Sequence, residues 1–135
     1  MNKQEIIIVD DNDLLTFLHS EIVSMAGYGE NTPSFAHGKL AYDYLVERKG
    51  NEIPLLILLD INMPVMNGWD VLDVLPNIEK NENIYVAIVT SSVDTEDRKK
   101  AFSYPHVIDF LEKPITEESI EKVVTLMHDK AIFAA

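Results

Sequence analysis

Four short polar stretches in this chain each close an apolar run, and together they carry the residue types that phosphoryl chemistry needs. Asp10 and Asp11 follow "IIIV", Asp60 follows "LLILL", Thr90, Ser91 and Ser92 close "IYVAIVT" and the residues after it, and Lys113 follows "VIDFLE". Three carboxylates brought to one place repel one another, which raises at least one pKa unless a cation neutralises the group. Oxygen-only donors, with no histidine or cysteine partner, suit a hard divalent ion: most simply Mg²⁺ retaining some waters, with Mn²⁺ also admissible. A lysine beside such a metal supplies more positive charge than the carboxylates alone require. A phosphoryl group uses both cations, accepts a hydrogen bond from a hydroxyl such as Thr90, and can be received by an aspartate as an acyl phosphate.

These residues meet only if the apolar runs are neighbouring strands. "IIIV" (Ile6 to Val9) and "LLILL" (Leu55 to Leu59) have no polar face, the pattern of parallel strands buried on both sides. "IYVAIVT" (Ile84 to Thr90) and "VIDFL" (Val107 to Leu111) read the same way, and a weaker strand is expected within residues 31–36, interrupted by Pro33. Between them lie helical patterns. Leu14, Leu15, Leu18, Ile22 and Met25 stand at helical spacing up to Gly27, with Asp11 or Asn12 as the N-cap. Further helices are expected over Lys39 to Arg48, from about Asn67 toward Ile78 with Pro76 ending or kinking it, over Asp94 to Tyr104, and after a Thr116 cap with Ile120, Val123, Val124 and Met127 as the buried stripe. Strand and helix alternate throughout. The reading is a doubly wound α/β domain with a parallel sheet of about five strands, whose ligand site lies at the carboxyl ends of the strands.

Composition narrows the function. At 135 residues and 47% hydrophobic content one domain is expected. The 23 acidic and 11 basic residues give a net charge of -12, which disfavours binding to nucleic acid or to an anionic membrane face. There is no cysteine, hence no disulfide or thiolate metal site, and no apolar run long enough for a signal peptide or a membrane span. A soluble cytoplasmic protein is the default. The four histidines, His19, His37, His106 and His128, show no metal-ligand spacing and are assigned surface or packing roles, Trp69 a packing role, and the Arg98-Lys99-Lys100 run a solvated helix face.

Through "IIIVDDN", "LLDINMPVMNG", "VTSS" and "FLEKP", in that order, the chain resembles the receiver domain of two-component response regulators over nearly its whole length. The resemblance implies a flavodoxin-like strand order 2-1-3-4-5. It makes Asp60 the phosphoacceptor and makes Asp11 and Asp60 direct Mg²⁺ ligands, with Asp10 supporting the site and the backbone carbonyl of Asn62 as the third protein ligand. It has Thr90 bond the phosphoryl oxygen, and Lys113 pair with the phosphoryl group and, before transfer, with Asp60. It implies a cis Lys113-Pro114 peptide bond, a role for Asn62 and Ser92 in tuning hydrolysis, and a switch in which Thr90 moves and Phe110 fills the vacated space. Phe110 stands where many relatives carry tyrosine, so its outward readout has no hydroxyl.

The expected organisation is a receiver domain over residues 1–130, a C-terminal tail at 131–135 and no effector domain. The expected function is a stand-alone response regulator that takes a phosphoryl group from a sensor histidine kinase or phosphotransfer protein and changes its surface for a downstream protein at the face of the fourth helix, fifth strand and fifth helix. It catalyses only its own phosphorylation and dephosphorylation. A phosphorelay intermediate is one alternative. A Mg²⁺-dependent phosphatase of the haloacid dehalogenase type is another, although that class carries a second Asp where this chain has Asn62. A flavin carrier needs a glycine- and hydroxyl-rich loop where "DDND" stands, and the acids would repel the phosphate.

Overall fold

The computed structural model describes residues 3–48, 50–78, 83–92 and 94–134. Among the described residues ten elements alternate: β1 (Glu5–Val9), α1 (Asp13–Met25), β2 (Ser34–Phe35), α2 (Gly38–Glu47), β3 (Leu55–Leu59), α3 (Gly68–Ile78), β4 (Ile84–Thr90), α4 (Thr95–Phe102), β5 (Val107–Glu112) and α5 (Glu117–Ala134). The strands form one parallel sheet in the order β2-β1-β3-β4-β5.

The strands lack a polar face because both faces are covered. Ile7, Val9, Ile57 and Leu59 pack with Ala41 and Leu45 of α2 and with Val71, Leu72 and Leu75 of α3. Ile6, Ile8, Leu56 and Leu58 turn the other way, against Val23 of α1 and Ile120, Val123, Val124 and Met127 of α5. Alternate side chains thus enter two separate cores. Every residue of β3 is buried, and each such Leu or Ile contributes roughly 1.5 to 3 kcal/mol relative to an exposed one.

Register decides where the chemistry lies. β1 and β3 pair from Glu5↔Leu55 to Val9↔Leu59, and the Asp60 N–H continues the ladder onto the Val9 carbonyl at 2.9 Å. The Asp10 N–H reaches the Phe35 carbonyl at 3.0 Å on the other side. Asp10 and Asp60 therefore leave the sheet side by side. β4 and β5 pair through Thr90↔Glu112, and the Lys113 N–H donates to the Thr90 carbonyl at 2.9 Å.

Several local expectations need correction. The apolar series Leu14, Leu18 and Met25 points outward, at 77%, 40% and 65% exposure, while His19 and Val23 are the positions α1 buries. Both faces of that helix carry suitable spacing, so periodicity alone could not orient it. α3 runs on through Pro76 for two residues, held at its end by the burial of Ile78. β2 is only two residues long and lies at the sheet edge, consistent with Pro33 just before it. The expected tail is helical over residues 131–134, as the last turn of α5, and Ala135 lies outside the described residues. The basic run of α4 is exposed as expected, and two of its cations also lie over rings: Arg98 is 5.1 Å from the Phe102 ring centre and 5.8 Å from that of Phe110, and Lys100 is 4.3 Å from that of Trp69.

Candidate phosphoryl-transfer site

An open cavity of about 460 Å³ lies at the carboxyl edge of the sheet, lined by Asp10, Asp11, Asp60, Asn62, Ser91 and Lys113 and rimmed by Leu15, Leu18 and Pro114. One carboxylate oxygen from each of Asp10, Asp11 and Asp60 lies within 4.8 Å of the other two. Asp10 and Asp60 are buried at 4% and 5% exposure, whereas Asp11 is exposed.

Each side chain is held by its own local turn. Asp10 Oδ1 accepts the Asn12 N–H at 2.9 Å and its Oδ2 lies 2.7 Å from Lys113 Nζ. Asn12, not Asp11, caps α1, its Oδ1 accepting the Leu15 N–H at 3.0 Å, so Asp11 is left free to face the cavity. Asp60 Oδ1 accepts the Asn62 N–H at 3.3 Å, and its Oδ2 lies 3.4 Å from Lys113 Nζ. Lys113 is thus closer to Asp10 than to Asp60 in this state. Burial pushes the Asp60 carboxyl above its ordinary value of 3.8, Lys113 opposing the shift and Asp10 adding to it.

The loop after β3 is shaped by a close approach. The Gly68 N–H donates to the Ile61 carbonyl at 2.9 Å, and a Cβ at Gly68 would lie 2.5 Å from the Asp60 carbonyl oxygen and 2.8 Å from Ile61 Cα. The glycine of "MNG" lets α3 start directly against the backbone of Asp60. Met63, in the same loop, is buried at 8% exposure.

Thr90 is fully buried and its Oγ1 accepts the Ser92 N–H at 3.2 Å, leaving the hydroxyl proton available for donation. Ser92 Oγ accepts the Asp94 N–H at 3.3 Å, and Asp94 caps α4. Ser91, not Ser92, lines the cavity. Phe110 is half-buried on β5 beneath the Arg98 guanidinium and packs against the core on the α3 and α4 side of the sheet. The Lys113-Pro114 peptide bond is cis.

The donor set fits a divalent ion of the hard class: three carboxylates in reach of one point, no thiolate, and an open side through which waters can complete the shell. Residues that sequence reasoning passed over also border this site. Leu15 and Leu18 rim it, and Leu14 and Phe17, 77% and 65% exposed, continue the apolar strip of Leu18 on α1. The strip was legible as helical periodicity, but its outward direction was not. No helix among the described residues is long and apolar enough to cross a membrane.

A family model described as the response regulator receiver domain matches residues 6–125. The probable methanogenesis regulatory protein FilR2 of Methanothrix harundinacea is 31% identical over 121 residues, covering 88% of this chain and 77% of that protein. The transcriptional regulatory protein HptR of Staphylococcus aureus is 28% identical over 120 residues, covering 89% of this chain but only 44% of its own length. Among solved structures, a two component response regulator from Cytophaga hutchinsonii superposes with a TM-score of 0.83 at 27% identity, covering 96% of this chain and 99% of that one.

Proposed function

Because this chain belongs to the response regulator receiver domain family, we propose that Asp60 is its phosphoacceptor and that the domain switches a partner surface when Asp60 is phosphorylated. The observation that carries this reading is the convergence on one cavity of a buried carboxylate, two further carboxylates and a lysine ammonium that reaches both buried acids.

An Asp60 oxygen attacks the phosphorus of a phosphohistidine or of acetyl phosphate. The P–O bond to Asp60 forms as the bond to the donor nitrogen or oxygen breaks, and the electron pair leaves with the donor. Asp10, Asp11 and Asp60, with the Asn62 carbonyl, would hold Mg²⁺ or Mn²⁺, which when bound neutralises charge on the phosphoryl oxygens. Lys113, already shared between two acids, moves toward the added negative charge. Thr90 donates its free hydroxyl proton to a phosphoryl oxygen and so turns away from Ser92, and Phe110 follows into the space it leaves. Asn62 and Ser92 bear on the access of hydrolytic water.

A protein donor must cover the cavity mouth to deliver its phosphoryl group. The exposed Leu14, Phe17 and Leu18 beside that mouth give a helical donor surface an apolar landing. The downstream protein is assigned to the face of α4, β5 and α5, where Arg98 and Phe102 are exposed. Nucleic acid and membrane are not among the partners proposed, and the cytoplasm is the proposed location. The haloacid dehalogenase reading finds no support in the family match, and Asn62 is an amide where that class carries its acid/base carboxylate.

The direct test is intact-mass analysis after incubation with Mg²⁺ and acetyl phosphate. One added phosphoryl is expected on the wild-type chain, none on Asp60→Asn and none after chelation of the metal. Labelling of Asp60→Asn at the wild-type rate would overturn the assignment. Transfer of the phosphoryl from this chain onto a histidine phosphotransfer protein would mark a relay intermediate, and hydrolysis alone a terminal regulator.

A further inference from the structure

One histidine is built into the machinery that carries Lys113. His19, in the second turn of α1, is 1% exposed, and its Nε2 accepts the N–H of Ile115 at 3.3 Å. Ile115 is itself buried at 3% exposure and stands two residues after Lys113. Pro114 has no N–H, so the Ile115 amide is the first after that of Lys113 able to tether the turn. The Lys113 amide is tied to β4 through the Thr90 carbonyl at 2.9 Å. The backbone that launches the lysine side chain is therefore held on one side by the sheet and on the other by α1.

A backbone N–H can only donate, so Nε2 must be unprotonated and the ring neutral, with its proton on Nδ1. Burial holds the imidazole pKa below its ordinary value, with Lys113 pushing the same way and Asp10 opposing. A ring chosen only to fill space would not need an acceptor there, and an apolar side chain would leave a buried amide unpaired.

We propose that His19 is a positioning residue for Lys113: its Nε2 fixes the turn at residues 113–115 and so sets the reach of the Lys113 ammonium over Asp10 and Asp60. The inference rests on the phosphoacceptor reading above and deepens it, since the quantity His19 controls is the placement of the cation that meets the incoming phosphoryl group.

The test compares His19→Leu, which fills the space without an acceptor, with His19→Gln, whose amide oxygen can accept from Ile115. Both are made in the wild-type and Lys113→Ala chains, and initial labelling rates with Mg²⁺ and acetyl phosphate are read by intact mass. His19→Leu is expected to label roughly five- to tenfold more slowly and His19→Gln within about twofold of wild type, a small displacement at a reacting group being enough for such a loss. In the Lys113→Ala chain the same His19→Leu change is expected to alter the rate by less than about twofold, because the effect acts through the lysine. Wild-type labelling by a folded His19→Leu, equal slowing by His19→Gln, or undiminished slowing in the Lys113→Ala chain would each overturn the proposal. Ring ¹⁵N shifts of the wild-type protein give an answer independent of variant folding: an unprotonated Nε2 is expected, and a proton found on Nε2 overturns the proposal. Labelling that survives Asp60→Asn would instead overturn the phosphoacceptor reading, and this inference with it.

Discussion

Replacing Asp60 by asparagine should abolish phosphorylation and at the same time stabilise the metal-free protein. At an effective dielectric constant of about 20, Lys113 Nζ at 3.4 Å attracts the Asp60 carboxylate by roughly 5 kcal/mol. Asp10, with one oxygen within 4.8 Å, repels it by roughly 3.5 kcal/mol, and the exposed Asp11, screened by water, by roughly 1 kcal/mol. The charge terms nearly cancel. What remains is the cost of burying the ion at 5% exposure, the largest cause of its raised pKa. Asparagine keeps an oxygen for the Asn62 N–H and sheds the charge, so a gain of about 1 to 2 kcal/mol is expected, or about 3 to 10 °C in Tm for a chain of this length.

Thermal unfolding in EDTA at neutral pH measures it. A carboxyl whose folded pKa is raised destabilises the fold when ionised, so the cost is fully present above the raised folded value and is gone below the ordinary value of 3.8. The advantage of Asp60→Asn should therefore shrink as pH falls through that window. Mg²⁺ at about 100 times its Kd adds about 2.7 kcal/mol to a protein that binds it, and more to wild type than to Asp60→Asn, which lacks one of the proposed ligands. The gap between them should then narrow or invert. An Asp60→Asn protein no more stable than wild type in EDTA would refute the electrostatic reasoning.

Lys113→Ala leaves the buried Asp10 without its cation and should cost about 2 to 4 kcal/mol in urea unfolding, with much slower labelling by acetyl phosphate. Stability partly recovered by Mg²⁺ is expected, and its absence would argue against a metal at these acids. Gly68→Ala forces a methyl to 2.5 Å from the Asp60 carbonyl oxygen, so a loss of about 1 to 3 kcal/mol is expected together with slowed labelling, the two measured on one sample. Phe17→Glu puts a charge on the apolar strip of α1. It should reduce phosphotransfer from an autophosphorylated kinase that labels wild type by about tenfold, while acetyl phosphate labels it normally; equal loss with both donors would place Phe17 in the chemistry or the fold instead.

The strands and their terminal residues were legible because a strand buried on both faces cannot hide its pattern: "LLILL" admits no polar position, and the next residue, Asp60, must be where the sheet ends. Four such endings placed the acids, Thr90 and Lys113 without any knowledge of contacts. The helices were less readable. In α1 the apolar residues 14, 18 and 25 are spaced for burial yet face outward, because the inward face is satisfied by Val23 and by a histidine whose partner lies 96 residues away. Nothing local distinguishes that histidine from the other three. Arg98 is exposed, as its run of charges implies, but the Phe110 ring beside it comes from another element, which local sequence does not reveal.

The in-register pairing of β1 with β3 makes the sheet a ruler for the acids. Any apolar residues of suitable volume could serve between Ile6 and Val9 or between Leu55 and Leu59, because the cores on either face ask only to be filled. A single deletion in one strand is a different matter. It would draw one acid about 3.3 Å back from the other and turn its side chain to the opposite face. Strand length, more than strand composition, is what keeps a charge cluster assembled at that edge, and it makes these two segments tolerant of substitution and intolerant of change in number.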